Sequence, residues 1–270
     1  MEYIVLENGL SLPKVVFGTY RIHDQDDVRR VISDAYASGY RAFDSAAYYK
    51  NEAELREAFD ALKIRDQVLV TSKVWNDARG YEAVMSEFEK SEARLGKVDI
   101  FMLHWPADEF LSRWKALEDI YAAGRVKAIG VSNFKKHHLE TLLAHAKIKP
   151  MINQIEAHSY FMDYETISYC QAQGICVQAW RPLMRTGDML QNQEIAQIGQ
   201  KYGKTTAQVC LRFLLQSGLS VLPKTVKPDR MKENIELFDF SLSAKDMEFM
   251  RGLNTGRRTA DDPDDYPWNR

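Results

Sequence analysis

The chain has 270 residues, 45% apolar and 27% charged, with a formal net charge of −2. That is ample material for a large core and no reason to expect nucleic acid or an anionic membrane as partner. No apolar run approaches a membrane span, and Met1-Glu2-Tyr3 does not open a signal peptide.

Three cysteines, Cys170, Cys176 and Cys210, are odd in number and lack metal-ligand spacing. They read as buried thiols in a reducing cytoplasm, with no metal.

In chain order, Tyr3 to Leu6 and Leu10 to Pro13 flank Glu7-Asn8-Gly9. An Asn-Gly pair between apolar runs predicts a β-hairpin. Eight β-prone runs follow: Val15 to Gly18, Arg41 to Asp44, Val68 to Lys73, Asp99 to His104, Ala128 to Ser132, Met151 to Ile155, Ile175 to Trp180 and Leu219 to Pro223. They are apolar on both faces, as parallel strands covered on both sides should be.

Helical stretches fill the gaps. Val28, Val31, Ile32, Ala35 and Tyr36 recur at helical spacing before Gly39; Tyr81 to Leu95 ends at Gly96, and Trp114, Leu117, Ile120 and Tyr121 end at Gly124. Two helices, Asn192 to Tyr202 and Thr206 to Gln216, separate the seventh and eighth strands, and Pro228 suits the first turn of another.

Strand and helix alternating in this way predict an α/β fold, a (β/α)8 TIM barrel, which typically takes about 250 residues. No linker interrupts it, so one domain spans 1–270, with the hairpin closing the N-terminal end and extra helices near the C-terminus. The acidic stretch Asp261 to Asp265 and Tyr266-Pro267-Trp268 read as an irregular tail over the opposite face.

In a parallel α/β barrel the functional face collects the C-terminal strand ends. Asp44, Tyr48 or Tyr49, Lys73 and His104 lie at or just past three of them. Taken singly, each has an ordinary explanation: a loop-capping carboxylate, packing tyrosines, a solvated lysine, a hydrogen-bonded core histidine. Their joint placement favours chemistry. A phenol titrates near 10, too high to give up a proton readily, and a neighbouring ammonium lowers that value. Asp44 would hold Lys73 in place, a tyrosine would protonate a carbonyl, and His104 would orient it.

The hydride donor must be a bound cofactor, and no G-x-G-x-x-G is present. Lys224, Thr225 and Arg230, after the last strand, supply two cations and a hydroxyl for a ribose phosphate, or else a solvated patch. Trp180 could stack on a nicotinamide or merely pack. Ser132, Asn133 and Gln154 could hold a carboxamide or cap helices.

Three ordered segments resemble the aldo-keto reductase superfamily, most closely its shorter bacterial branch of diketogluconate and methylglyoxal reductases. They are Gly39-Tyr40-Arg41-Ala42-Phe43-Asp44-Ser45-Ala46 with Tyr49, Asn51 and Glu52; Gly124 to Phe134; and Leu222-Pro223-Lys224-Thr225 with Arg230, Glu233 and Asn234.

The resemblance implies a cytoplasmic, monomeric, NADPH-dependent oxidoreductase acting on aldehydes, ketones or sugar-derived carbonyls, with the tetrad Asp44, Tyr49, Lys73 and His104. It selects Tyr49 over Tyr48 as the acid. It assigns Ser132, Asn133, Gln154 and Trp180 to the nicotinamide, and Gly18, Thr19, Leu183 and Val226 to further cofactor contacts. Lys224, Thr225 and Arg230 go to the 2′-phosphate, and Glu233 and Asn234 to the adenine. Tyr20, Trp75, His104 and Trp105 go to the substrate pocket.

Three features depart from the family pattern. Arg56 replaces a glycine, and His158-Ser159 replaces His-Pro. Arg181-Pro182-Leu183-Met184 replaces a Ser- or Gly-Pro-Leu-Gly loop that follows the pyrophosphate. Met184 cannot take glycine's positive φ cheaply, and Arg181 either meets the phosphates or the loop takes another path.

Two other readings compete: a Schiff-base lysine enzyme, disfavoured because Asp44 keeps Lys73 charged, and a cofactor-binding sensor, disfavoured by the intact tetrad.

Overall fold

The computed structural model describes residues 1–23, 25–184 and 187–265. A two-stranded antiparallel hairpin, β1 (Tyr3–Val5) and β2 (Ser11–Pro13), precedes eight parallel strands. These are β3 (Phe17–Gly18), β4 (Ala42–Asp44), β5 (Leu69–Val74), β6 (Ile100–Leu103), β7 (Ala128–Ser132), β8 (Ile152–Glu156), β9 (Cys176–Trp180) and β10 (Ser220–Leu222). Neighbours in sequence are neighbours in the sheet from β3 to β10. Main-chain hydrogen bonds from Val221 to Lys14 (2.8 Å), Val16 to Val221 (2.9 Å) and Gly18 to Pro223 (3.1 Å) close the ring. The fold is a (β/α)8 barrel.

The helices between strands are α1 (Gln25–Ala37), α2 (Glu52–Leu62), α3 (Gly80–Leu95), α4 (Phe110–Ala122), α5 (Lys136–Leu143), α6 (Tyr164–Ala172), then α7 (Gln193–Tyr202) and α8 (Thr206–Gln216) in one connection. After β10 come α9 (Pro228–Ile235) and α10 (Ala244–Gly252). Their ends follow local chemistry. Asn192 caps α7 by accepting from Glu194 and Ile195 N–H, Thr205 and Gln208 form a capping box on α8, and Gly96 stops α3 at φ 75°.

Two apolar layers result from the period-2 alternation of strand side chains. Phe17, Phe43, Val70, Phe101, Ile129, Val177 and Val221 face the helices. Ala42, Ile100, Met102, Ala128, Ile152, Cys176 and Leu222 fill the bore together with Leu6 and Leu12 of the hairpin. The hairpin therefore plugs the N-terminal end of the barrel, each buried leucine contributing roughly 1.5–3 kcal/mol. Asn8 Nδ2 donates to the Lys127 carbonyl at 2.8 Å, and Lys149 meets Glu7 at 2.9 Å, fixing its seat.

In the same layer a Cβ at Gly130 would lie 2.7 Å from the Ile152 carbonyl oxygen, so only glycine lets β7 and β8 approach this closely. The three cysteines are free and buried. Among the described residues no helix is long and apolar enough to cross a membrane.

Candidate active site

Followed two residues at a time toward their C-terminal ends, the bore-facing positions change from apolar to polar. Ala42 leads to Asp44, Ile100 and Met102 to His104, Ala128 and Gly130 to Ser132, Ile152 to Gln154 and Glu156, and Cys176 to Gln178 and Trp180. Thr71 and Lys73 continue the series on β5. The site is the outer continuation of the barrel lining.

At its centre Lys73 Nζ donates to Asp44 Oδ1 at 2.6 Å and to the Ser45 carbonyl at 2.8 Å. Gln154 Nε2 donates to the other Asp44 oxygen at 2.8 Å and to Gln178 Oε1 at 3.2 Å. Burial lowers the Lys73 pKa, opposed by the attraction of Asp44. Around the pair, Asn51 braces the loops by accepting from Ser45 Oγ (2.7 Å) and donating to the Thr19 (2.9 Å) and Ile22 (3.1 Å) carbonyls. Buried Glu52 accepts from Ser72 Oγ at 2.5 Å and Arg94 Nε at 2.6 Å.

Tyr49 ends a short 3-10 turn, Ala47–Tyr49. Its ring centroid lies 5.1 Å from Lys73 Nζ, 5.7 Å from the His104 ring and 4.9 Å from the Tyr20 ring. Tyr48, the alternative acid, is exposed and stacks on Trp75 at 4.0 Å. Four sequence-selected side chains thus share one end of the bore.

The electrostatics differ from the expectation that lysine makes the phenol acidic. Burial and the Asp44 charge push Tyr49 well above 10, with Arg181 the opposing cation. Burial is the larger cause, and Lys73, bonded to Asp44 and the Ser45 carbonyl, does not offset it. His104, held well below its usual range by burial, Lys73 and Arg113, is neutral. Its Nδ1 is buried without a partner among the described residues, and Trp75 packs edge-on at 4.9 Å. Trp105 is buried and Tyr20 is 36% exposed, at the rim.

The residues assigned to a nicotinamide lie beside this centre. Trp180 Nε1 donates to Asn133 Oδ1 at 2.9 Å, and Asn133 Nδ2 donates to the His104 carbonyl at 3.0 Å. Ser132 Oγ donates to the Gln154 carbonyl at 2.7 Å. Asn133 and Ser132 therefore already bind the site together. Thr19 Oγ1 donates to the Asp44 carbonyl at 2.8 Å, and Gly18 is bonded to Pro223.

At the far end Lys224 and Arg230 are exposed, while Thr225 Oγ1 accepts from Lys227 N–H at 3.2 Å on entry to α9. Val226 lends its carbonyl to Arg30 at 3.4 Å. Glu233 accepts from Thr205 Oγ1, so its carboxylate ties α9 to α8, and Asn234 is buried.

The loop after β9 resolves the expectation about Arg181 to Met184. Met184 does adopt positive φ (55°), as does Arg181 (51°), closed by a Met184 N–H to Arg181 carbonyl bond of 2.9 Å. The glycine-like path is kept at a strain of about 1–3 kcal/mol per residue, offset as Leu183 and Met184 pack on the core. Arg181 turns to the tail: its Nη1 donates to the Thr259 carbonyl at 2.6 Å and Oγ1 at 3.2 Å, and its guanidinium lies 5.1 Å from the Trp180 ring centroid.

Thr259 N–H in turn donates to Glu156 Oε1 at 2.7 Å. Glu156 is buried, yet hydrogen bonds from His158 and Thr259 hold its pKa down. Of the His158-Ser159 pair, His158 keeps the histidine of His-Pro and meets Glu156 at 3.2 Å, Ser159 in the proline's place is buried, and Arg56 donates to the Ala93 carbonyl at 3.0 Å near the end of α3. Asp261 to Asp265 are irregular as expected; Tyr266 to Trp268 lie outside the described residues.

Sequence reasoning missed Gln178, Glu156 and Arg113. The first two carry a usable signal, polar residues at bore-facing positions of period-2 strands. One further grouping has metal-ligand residue types: His137 and His138 on α5 direct Nε2 at Asp264, 3.1 and 3.5 Å away. His138 Nδ1 already accepts from Lys135 N–H at 3.2 Å, so its ring proton sits on Nε2, where it donates to Asp264 instead of ligating a cation.

Residues 14–255 match the sequence family described as the aldo/keto reductase family. The glyoxal reductase of Bacillus subtilis (strain 168) is 41% identical over 268 residues, covering 98% of this chain and 97% of the relative. The methylglyoxal reductase DkgA of Escherichia coli O157:H7 is 34% identical over 270 residues, covering 97% of each. The crystal structure of MGS-M4, an aldo-keto reductase from a Medee basin deep-sea metagenome library, superposes with a TM-score of 0.93 at 36% identity, covering 98% of this chain and 99% of that one.

Proposed function

The chain belongs to the aldo/keto reductase family, and we propose that it reduces small aldehydes and ketones to alcohols with NADPH, Tyr49 being the proton donor. The observation that carries this reading is the buried Lys73–Asp44 pair, 2.6 Å apart, set against Tyr49 and a neutral His104 at the mouth of the bore. The names of the two relatives favour glyoxal-like 1,2-dicarbonyls as the substrate class.

The donor set fits a phosphorylated nicotinamide dinucleotide. Neither Lys224 nor Arg230 forms an ion pair among the described residues, while Thr225 offers a hydroxyl beside them. That cofactor supplies the hydride when bound. Lys224, Thr225 and Arg230 would hold its 2′-phosphate, and Trp180, with Gln154, its nicotinamide end.

The chain's own residues do the rest. His104 donates to the carbonyl oxygen and orients it, Tyr20, Trp75 and Trp105 wall the pocket, and Tyr49 gives up its proton as charge develops on that oxygen. A phenol held high by burial keeps its proton until that moment. Arg181 is the cation whose field favours the phenolate left behind. A cytoplasmic monomer goes with this reading.

The test is loss of reduced-nicotinamide absorbance with NADPH or NADH against methylglyoxal, benzaldehyde, a sugar aldehyde and a diketo acid. Oxidation of NADPH in preference to NADH supports the proposal. Binding without oxidation of either would leave a sensor, and no binding would overturn the cofactor assignment.

A further inference from the structure

Arg113, in the first turns of α4, is a cation for which the reaction above has no use. It is 0% exposed. Its Nη2 donates to the Trp75 carbonyl at 3.0 Å, while Nε and Nη1 are buried without a partner among the described residues. Asp77 and Glu109 face it only at longer range. A cation buried without a close carboxylate destabilises a fold, so stability alone gives no reason for it.

Its surroundings supply one. The main chain it grips is that of Trp75, whose indole lies edge-on against His104 at 4.9 Å and carries Tyr48 on its face at 4.0 Å. His104 Nδ1 is turned into the protein, and the Asn76 amide beside Trp75 is buried and unpartnered as well. The charged and titratable groups around His104 are Lys73 from β5, Tyr48 and Tyr49 from the turn after β4, and Arg113 from α4. The one carboxylate at this centre, Asp44, is committed on both oxygens to Lys73 and Gln154. A proton on the inward nitrogen would therefore meet two cations and no free anion.

We propose that Arg113 is a positioning residue: it pins the Trp75 main chain and sets a fixed positive charge behind His104, so that the imidazole stays neutral with its one proton on Nε2. That tautomer is the one able to donate to a substrate carbonyl oxygen. The opposite tautomer would present a lone pair to the carbonyl and repel it. The role in turnover rests on the reductase reading; the tautomer does not.

The test is ¹⁵N NMR of the histidine side chains in the full-length protein, with the His104 signals identified by their loss in His104→Gln. The wild type is expected to show Nε2–H and a bare Nδ1, staying neutral well below the pH at which an ordinary histidine titrates. Arg113→Gln keeps a donor for the Trp75 carbonyl and removes the charge. It should raise the His104 titration by about one pH unit or more. It should also lower kcat for methylglyoxal about tenfold at unchanged KM and unchanged NADPH quenching of tryptophan fluorescence. Arg113→Lys, which keeps the charge, should titrate as wild type.

An Nδ1–H tautomer in the wild type would overturn the proposal, even if no variant folds. So would an Arg113→Gln protein whose His104 titrates unchanged. A wild type that shows the Nε2–H tautomer but oxidises NADPH with no carbonyl would sink the reductase reading and leave the Arg113–His104 coupling standing.

Discussion

Gln154 on β8 donates to Asp44 on β4 at 2.8 Å, joining strands on opposite sides of the bore. With Lys73 on its other oxygen, the carboxylate is satisfied at both ends, and its attraction opposes the lowering that burial imposes on Lys73. A surface ion pair would contribute little; this one is a single connected unit inside the barrel.

Breaking that unit on one side leaves a buried charge. Lys73→Met is expected to destabilise the protein by about 3–5 kcal/mol, measured as a shift of the urea midpoint. Adding Asp44→Leu should recover much of the loss. A double variant as unstable as the single one would show that the pair is not electrostatically coupled.

Tyr49→Phe should reduce turnover by about 10²–10⁴-fold while leaving NADPH binding, followed by tryptophan fluorescence, close to wild type. Loss of binding together with turnover would mean that Tyr49 shapes the site and does not donate the proton.

For cofactor choice, Arg230→Ala should weaken NADPH by roughly 1.5–3 kcal/mol, the range for a hydrogen bond to a charged group, with NADH affinity unchanged. Titrating both cofactors into both proteins checks it. Equal losses for the two would place Arg230 away from the 2′-phosphate.

The tail gives a pH prediction. Burial, and next His137, lower His138 from its ordinary 6.5 to about 4 in the folded chain. Its neutral form is favoured by folding, so this contribution is full above 6.5 and is lost as pH falls through about 4. Protection factors in α5 and around Asp264, with the intrinsic pH dependence of exchange divided out, should fall over that window, and His138→Gln should remove that fall while leaving protection elsewhere unchanged.

Arg181→Ser removes the bond to Thr259 and is expected to free the tail. Cleavage by trypsin at Arg257 and Arg258 should then speed up several-fold, with the thermal midpoint nearly unchanged. An unaltered rate would mean that Glu156 holds Thr259 by itself.

Much of this was legible in one dimension. The eight strands and the paired helices before β10 follow from apolar runs, turn residues and caps, all of them local. The Asn8-Gly9 turn is a backbone requirement written directly in residue type, whereas the need for glycine at 130 shows only once β7 and β8 are side by side. Asp44, Lys73, His104 and the Tyr48-Tyr49 pair stood out because a parallel barrel collects its strand ends on one face, and only the family resemblance chose Tyr49 of the two. The acidity of Tyr49 was misread, because no pattern says how deeply the phenol is buried or that Lys73 is bonded to Asp44 and the Ser45 carbonyl. Which path the Arg181 to Met184 loop takes was not legible, because packing of Leu183 and Met184 on the core decides whether its strain is borne.

Sequence by itself therefore determined the barrel and the plugged end, since those depend on periodicity and short-range stereochemistry. Tertiary structure alone decided which atoms each side chain spends and which it leaves free. Gln154 meets Asp44 across 110 positions, Thr259 meets Glu156 across 103, and Arg113 meets Trp75 across 38. Hydrogen-bond partners and local dielectric are properties of the closed barrel, set only when distant strands bring their charges within a few ångströms.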